Sequence, residues 1–457
     1  MTRLHASSTI VESSTGIRRT VRTHIGIRYA ALRDGRRFDP PRAVDLQDQA
    51  DEQANFEHTS EVPIFPQLPS RLAAHMGTPA GTYPHSDDAF FLNISAPTNT
   101  QNAPVVLFVH GGAWISGAGT YQWYSGESLA AEGVCVVSVN YRLHAAGILN
   151  PSPEHLPLQD LTCAIHWVHL HIEAFGGDPE NITLVGQSAG GWYVHALAQQ
   201  QNLAGKFRRI ALLSMATRTP WPAGLHEEIR DRTAASLGVS DLRDVPARKF
   251  MVTALAESVR TRDKHFGDPC LGYAPTALLP KISDNLPVDF LDPEASAARL
   301  IVDEVFLRYT SDETAIFFAD SPAEREATHE QADKVVAAVL EQTDQTRLPE
   351  HLRSRMVDRS LSGYERICTA SSWLQFQQLP HQLAAAYRMA GKRVELHEFT
   401  FRSPDPRLKS CHCFDLPFLF NNRPTWKDAP YLQGIGDREF AQIARASINQ
   451  LLRFITT

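Results

Sequence analysis

The chain has 457 residues, of which 43% are hydrophobic and 21% charged, a balance that excludes collagen-like, fibrous and wholly disordered readings. Its 44 basic and 51 acidic side chains leave a net charge of −7, and without a long basic stripe a nucleic-acid partner has no electrostatic footprint. No apolar run of about 18 residues occurs, which argues against a membrane-spanning helix, and the first thirty residues hold no apolar segment of the signal-peptide kind.

In chain order, the first 85 residues read as polar and irregular, with prolines at 40, 41, 63, 66, 69, 79 and 84. Residues 104–110 are then a continuous apolar run ended by Gly111-Gly112, the pattern of a strand buried on both faces. A second such run spans 134–140. Residues 158–175 have helical spacing and stop at Gly176-Gly177, with Asp178-Pro179 just beyond. A third strand is predicted over 182–185, a helix over 189–201 and a fourth strand over 210–213. Residues 216–300 break the rhythm with charged helical stretches at 226–232 and 257–264 and several prolines. Strand pattern returns at 304–309, helices follow to about 355 and from 373 to 390, and a late strand at 394–399 precedes a closing helix at 438–455. Strands alternating with helices predict an α/β class, with a central, mostly parallel sheet flanked by helices. One domain over 1–457 is expected, with 216–300 as a partly helical cap inserted over the sheet.

Chemistry concentrates at Gly186-Gln187-Ser188-Ala189-Gly190, between the 182–185 strand and the next helix. Flanking glycines let the strand turn sharply into the helix, leaving the Ser188 hydroxyl exposed at the turn. The helix start offers unpaired N–H groups to a developing negative charge. Upstream, His110-Gly111-Gly112-Ala113-Trp114 leaves the end of an earlier strand, where glycines allow backbone N–H groups to approach a carbonyl oxygen. Gly111, Gly112 and Ala189 are therefore the candidate oxyanion donors. A serine nucleophile also needs a base, and the base an orienting acid.

These motifs resemble the type B carboxylesterases, a family that includes the cholinesterases. Gly26-Ile27-Arg28-Tyr29-Ala30 and Arg37-Phe38-Asp39-Pro40-Pro41 resemble the family's N-terminal segment. Ser86-Asp87-Asp88-Ala89-Phe90-Phe91-Leu92-Asn93 resembles its S-E-D-C-L-x-L-N box, and Phe175-Gly176-Gly177-Asp178-Pro179 its signature before the nucleophile strand. The resemblance implies an α/β-hydrolase fold and a Ser…Glu…His order. On that order the acid is Glu313, in Ser311-Asp312-Glu313-Thr314-Ala315-Ile316-Phe317. The base is His412, in Cys411-His412-Cys413-Phe414-Asp415-Leu416-Pro417-Phe418. Ser214 resembles a family serine that supports the acid. The chain departs from the pattern in four places: Ala89 replaces a cysteine of a disulfide, Gln187 a glutamate, and Thr314 and Lys409 glycines near the acid and the base.

The implied activity is hydrolysis of a small-molecule carboxylic ester, of xenobiotic or natural-product type, through a Ser188–His412–Glu313 triad and an acyl-enzyme. An amidase, lactonase or carbamate hydrolase using the same triad stays open, since the acyl chemistry is shared. So does a catalytically silent binding protein on this scaffold. The hormone-sensitive-lipase-like esterases share the His-Gly-Gly and Ser-Ala-Gly-Gly motifs, but use an aspartate acid in a different late motif. Cys411-His412-Cys413 lacks the second ligand cluster that zinc needs, and His166, His169 and His171 read as a solvated helix face, so neither metal nor cofactor is expected. Trp114, Trp192, Tyr193 and Trp221 lie near the catalytic segments and are candidate pocket walls, against the default of core packing. The six scattered cysteines, none in a C-x-x-C pair, suit free thiols in a reducing, cytoplasmic setting.

Overall fold

The structure is a computed structural model that describes residues 6–33, 35–48, 56–79 and 81–456. Its strands are β1 (Ser7–Glu12), β2 (Arg18–Arg28), β3 (Ala30–Leu32), β4 (Pro41–Ala43), β5 (Phe91–Pro97), β6 (Ala103–Val109), β7 (Cys135–Val139), β8 (Gly177–Gln187), β9 (Arg209–Leu213), β10 (Glu304–Thr310) and β11 (Arg393–Phe399). Nine of them form one sheet in the order β1-β2-β5-β7-β6-β8-β9-β10-β11, while β3 and β4 pair separately. The pairings from β1 to β7 are antiparallel, and those from β7 to β11 are parallel.

The parallel half reads as apolar runs because helices cover both of its faces. Side chains alternate across a strand, and two separate cores result. On one face Val105, Leu107 and Val109 of β6 meet Ile182 and Leu184 of β8, Ile210 and Leu212 of β9, and Val305 and Leu307 of β10. On the other, Val106, Phe108, Val185, Ala211, Leu213 and Phe306 pack against the helix Asp437–Thr456 through Phe440, Ile443, Ile448 and Leu451. That last spacing is the apolar stripe of a surface helix.

The expectation of an irregular N-terminal stretch is corrected by β1 and β2. β2 alternates arginine and threonine with Val21, Ile25 and Ile27, and three of its eleven residues are exposed and four half-buried. An antiparallel strand near a sheet edge keeps one solvated face, so its apolar content stays low. β5, also unassigned from sequence, is almost wholly buried between β2 and β7.

Two helical blocks cross between adjacent parallel strands. Residues 214–303 join β9 to β10 and contain the helices Ala223–Leu237, Ala247–Phe266 and Pro293–Arg299. The second block joins β10 to β11. In it the helix Gly363–Ser372 runs through a π-helical turn, Trp373–Gln377, into the helix Gln378–Met389. Sequence spacing places a helix start at 373, where the structure has this wider turn instead. Such turns re-aim successive side chains and are frequent at functional sites.

Candidate active site

Strands β8, β10 and β11 are parallel, so the loops leaving their carboxyl ends lie along one rim of the sheet. In α/β sheets that rim is where ligands bind. Ser188 follows β8 with φ 55° and ψ −121°, a conformation that a side-chain-bearing residue keeps only when its surroundings hold it. Its N–H donates to Leu213 O of β9 (2.9 Å), and its carbonyl accepts from Trp192 N (3.0 Å) and Ala216 N (3.1 Å). Gly190 must be glycine here, because a Cβ would lie 2.1 Å from Val109 O of β6.

The loops that carry Glu313 and His412 are tied to each other through their backbones. Asp312 N donates to Ser410 O (2.9 Å), and His412 N to Glu313 O (3.1 Å). Their side chains then align with Ser188. His412 Nε2 lies 2.8 Å from Ser188 Oγ, and His412 Nδ1 lies 2.5 Å from Glu313 Oε2. Thr310 N donates to the other carboxylate oxygen of Glu313 at 2.8 Å. Glu313 is fully buried, His412 is 2% exposed and Ser188 8%, so exposure rises along the chain of contacts toward the serine. Burial opposes a proton on His412, whereas the neighbouring Cys413 sulfur and the Glu313 carboxylate favour it. The balance holds the imidazole above its ordinary range.

Gly111 brings the His110-Gly-Gly loop against the same serine. A Cβ on Gly111 would stand 2.8 Å from Ser188 Cβ and 2.4 Å from Gln187 Oε1. His110 anchors that loop: its ring stacks on Tyr141 (4.5 Å, 22°), and Tyr141 Oη donates to its carbonyl at 2.7 Å. Burial pushes the His110 pKa down to about 4, which keeps this imidazole neutral. Ala189 opens the helix Ala189–Leu197, where first-turn N–H groups have no intrahelical acceptor. Gly111 thus borders Ser188 in space and Ala189 in the chain, while Gly112 packs closely on Ser116.

Other sequence candidates sit differently. Ser214 Oγ has no hydrogen-bond partner among the described residues, and Thr310 N–H makes the contact to Glu313 that Ser214 was expected to make. Trp114, Trp192, Tyr193 and Trp221 are 0–6% exposed and belong to the main core. Trp192 meets the edges of Trp114 and Phe290, and Tyr193 Oη is bonded to His155 Nε2. These are packed rings rather than open walls. Lys409, at a family glycine position, takes φ 53°, and its ammonium pairs with Glu365 at 2.7 Å. Thr314 needs no such freedom: its φ is −79°, and its hydroxyl donates to Cys368 O.

Further contacts surround the His412 loop. Phe317 and Phe376 face the His412 ring with centroids 5.6 and 4.8 Å away. Gln187 Nε2 donates to Cys413 Sγ at 3.2 Å. Asp415, three residues beyond His412, forms a buried ion pair with Arg308 at 2.7 Å, fixing the His412 loop to β10, the strand that precedes Glu313. His-x-x-Asp spacing offered a hint of this last pair, though none of its partner.

The sheet order and the serine turn together define an α/β-hydrolase. The Carboxylesterase family matches residues 9–457. A probable N-octanoylanthranilate hydrolase of Rhodococcus erythropolis is 31% identical over 432 residues, covering 91% of this chain and 85% of that protein. The para-nitrobenzyl esterase of Bacillus subtilis is 31% identical over 360 residues, covering 74% and 68% respectively. Phenmedipham hydrolase of Pseudarthrobacter oxydans is 28% identical over 402 residues, covering 82% and 75%. A solved thermophilic PNB esterase shares the fold, with a TM-score of 0.72 and 24% identity over 99% of this chain and 91% of that one. The chain belongs to the carboxylesterase family, and it is a carboxylic ester hydrolase. Among the described residues no helix is long and apolar enough to cross a membrane.

Proposed function

We propose that Ser188, His412 and Glu313 are the catalytic triad of this hydrolase. The carrying observation is the unbroken run of contacts from the Thr310 N–H through Glu313 and His412 to the Ser188 hydroxyl. Ser188 Oγ attacks the ester carbonyl carbon while His412 Nε2 takes its proton. Glu313 holds the proton of His412 on Nδ1 and stabilises the imidazolium as it forms. The carbonyl oxygen becomes negative, and N–H groups of Gly111, Gly112 and Ala189 bind it more tightly than in the ground state. His412 then protonates the departing alcohol, leaving Ser188 acylated. Water attacks the acyl carbon with His412 again as base, and the acid leaves as Ser188 recovers its proton.

Substrates of xenobiotic or natural-product type fit this reading. The Rhodococcus relative is named for an N-acyl compound, which favours amide cleavage by the same triad as a second reading. Residues 216–300 are proposed as the cap, supported by the Ala216 N–H on Ser188 O. Six free cysteines support a reducing, cytoplasmic setting. The deciding experiment is Ser188→Ala on short nitrophenyl esters: a loss of about 10⁶-fold in kcat is expected, and parental turnover would refute the triad.

A further inference from the structure

Two arginines beside this site lack a counter-charge. Arg71 lies in the stretch before the helix Ala73–Met76, and its guanidinium covers the Phe317 ring at 4.8 Å. It donates to Pro275 O at 2.8 Å. Arg218, in the loop after β9, covers the Tyr273 ring at 4.4 Å and donates to Ala274 O (2.6 Å) and Gln375 Oε1 (2.7 Å). Neither guanidinium forms an ion pair with a carboxylate among the described residues, and the charge of Arg218 bears on Arg71 unfavourably. Many other arginines of this chain do pair with carboxylates, as Arg142 does with Asp160 and Arg308 with Asp415.

Their placement connects them to the chemistry. Phe317 lies parallel to Phe376 (6.0 Å, 7°), and both rings face His412. The π-helical turn presents Phe376 to the histidine and its neighbour Gln375 to Arg218. Arg71, Phe317, Tyr273 and Ala274 line a cavity of about 320 Å³. Glu324 also lines it, but its oxygens are engaged by Gly272 N–H and the Ser321 hydroxyl. Arg71 is thus linked to His412 through the Phe317 ring, and Arg218 through the Gln375–Phe376 turn.

Granting the proposed role of His412, the aromatic pair lies beside the atom that protonates the leaving alcohol. We propose that Arg71 and Arg218 select esters whose alcohol portion bears a carboxylate on an apolar or aromatic arm. The arm lies along Phe317 and Phe376, and the carboxylate supplies the missing counter-charge. Guanidinium–carboxylate contacts suit this use, being both charge-assisted and directional.

The test compares 3-(4-acetoxyphenyl)propanoate with its methyl ester, which differ at the remote carboxyl alone, by following release of the phenol. The wild-type protein should favour the carboxylate by about tenfold or more in kcat/KM, a preference that shrinks as salt is raised. Arg71→Gln and Arg218→Gln should each lower that ratio by about tenfold. Turnover of the methyl ester reports whether each variant is folded, and Arg71, exposed at the surface, is the safer of the two. A wild-type ratio near one, or a ratio unchanged in both variants, overturns the inference while leaving the hydrolase reading standing. If the wild-type protein cleaves neither ester, the triad reading fails and takes this inference with it.

Discussion

Glu313 divides its two oxygens between His412 Nδ1 and the Thr310 N–H, so it both orients the imidazole and raises its affinity for a proton. In the proposed role of base, His412 must be neutral to accept the serine proton. Activity therefore falls as pH drops through the His412 pKa. Because that pKa is raised above 6.5, the acid limb of the kcat/KM profile should lie above the ordinary histidine value. Glu313→Gln removes one of the charges that raise it. Its acid limb should move to lower pH, with kcat reduced about 10⁴-fold; a limb that stays in place or moves up would contradict the role given to Glu313. At this scale the sequence is informative where spacing encodes geometry. Ser188 is marked by its flanking glycines and the strand–turn–helix context. Glu313 and His412 are marked by resemblance. Thr310 acts through its backbone N–H, which no side-chain pattern encodes, and Phe376 reaches His412 only through a contact between distant parts of the chain. Ser214 was expected to support the acid through resemblance, and its hydroxyl has no hydrogen-bond partner among the described residues.

Between elements, the Arg308–Asp415 pair acts as a buried tie from β10 to the base loop. Arg308 also donates to Ser447 of the closing helix at 3.0 Å, so three elements meet at one guanidinium. Asp415→Ala leaves that cation buried without its partner, a change that costs about 3–5 kcal/mol. Urea denaturation should show the loss as a lower midpoint, and activity should fall because His412 is no longer held against Glu313. An unchanged midpoint would remove the tie from the account. Strand assignment from sequence followed burial. β6, β7, β8 and β9 are apolar on both faces and stand out as runs, whereas β2 spends one face on solvent and its arginines mask the alternation of Val21, Ile25 and Ile27. The π-helical turn at Trp373–Gln377 has no pattern of its own, since it differs from the flanking helix by one backbone register.

Across the whole molecule, the parallel half of the sheet positions the reacting groups and the long crossovers shape their surroundings. The proposed nucleophile, acid and base leave three strands of one rim, separated by 125 and 99 positions of chain as Ser188, Glu313 and His412, yet joined by two hydrogen bonds. Fold class was readable at this scale because alternating strands and helices admit few topologies. The course of the crossovers was not, since prolines and charged helices fix composition but not direction. Covalent labelling with a fluorophosphonate tests the central claim most directly. One equivalent per chain should attach at Ser188, as located by peptide mass analysis, with ester hydrolysis lost in proportion and no label taken up by Ser188→Ala. Label recovered on a different residue, or full hydrolysis persisting after Ser188 is blocked, would contradict it.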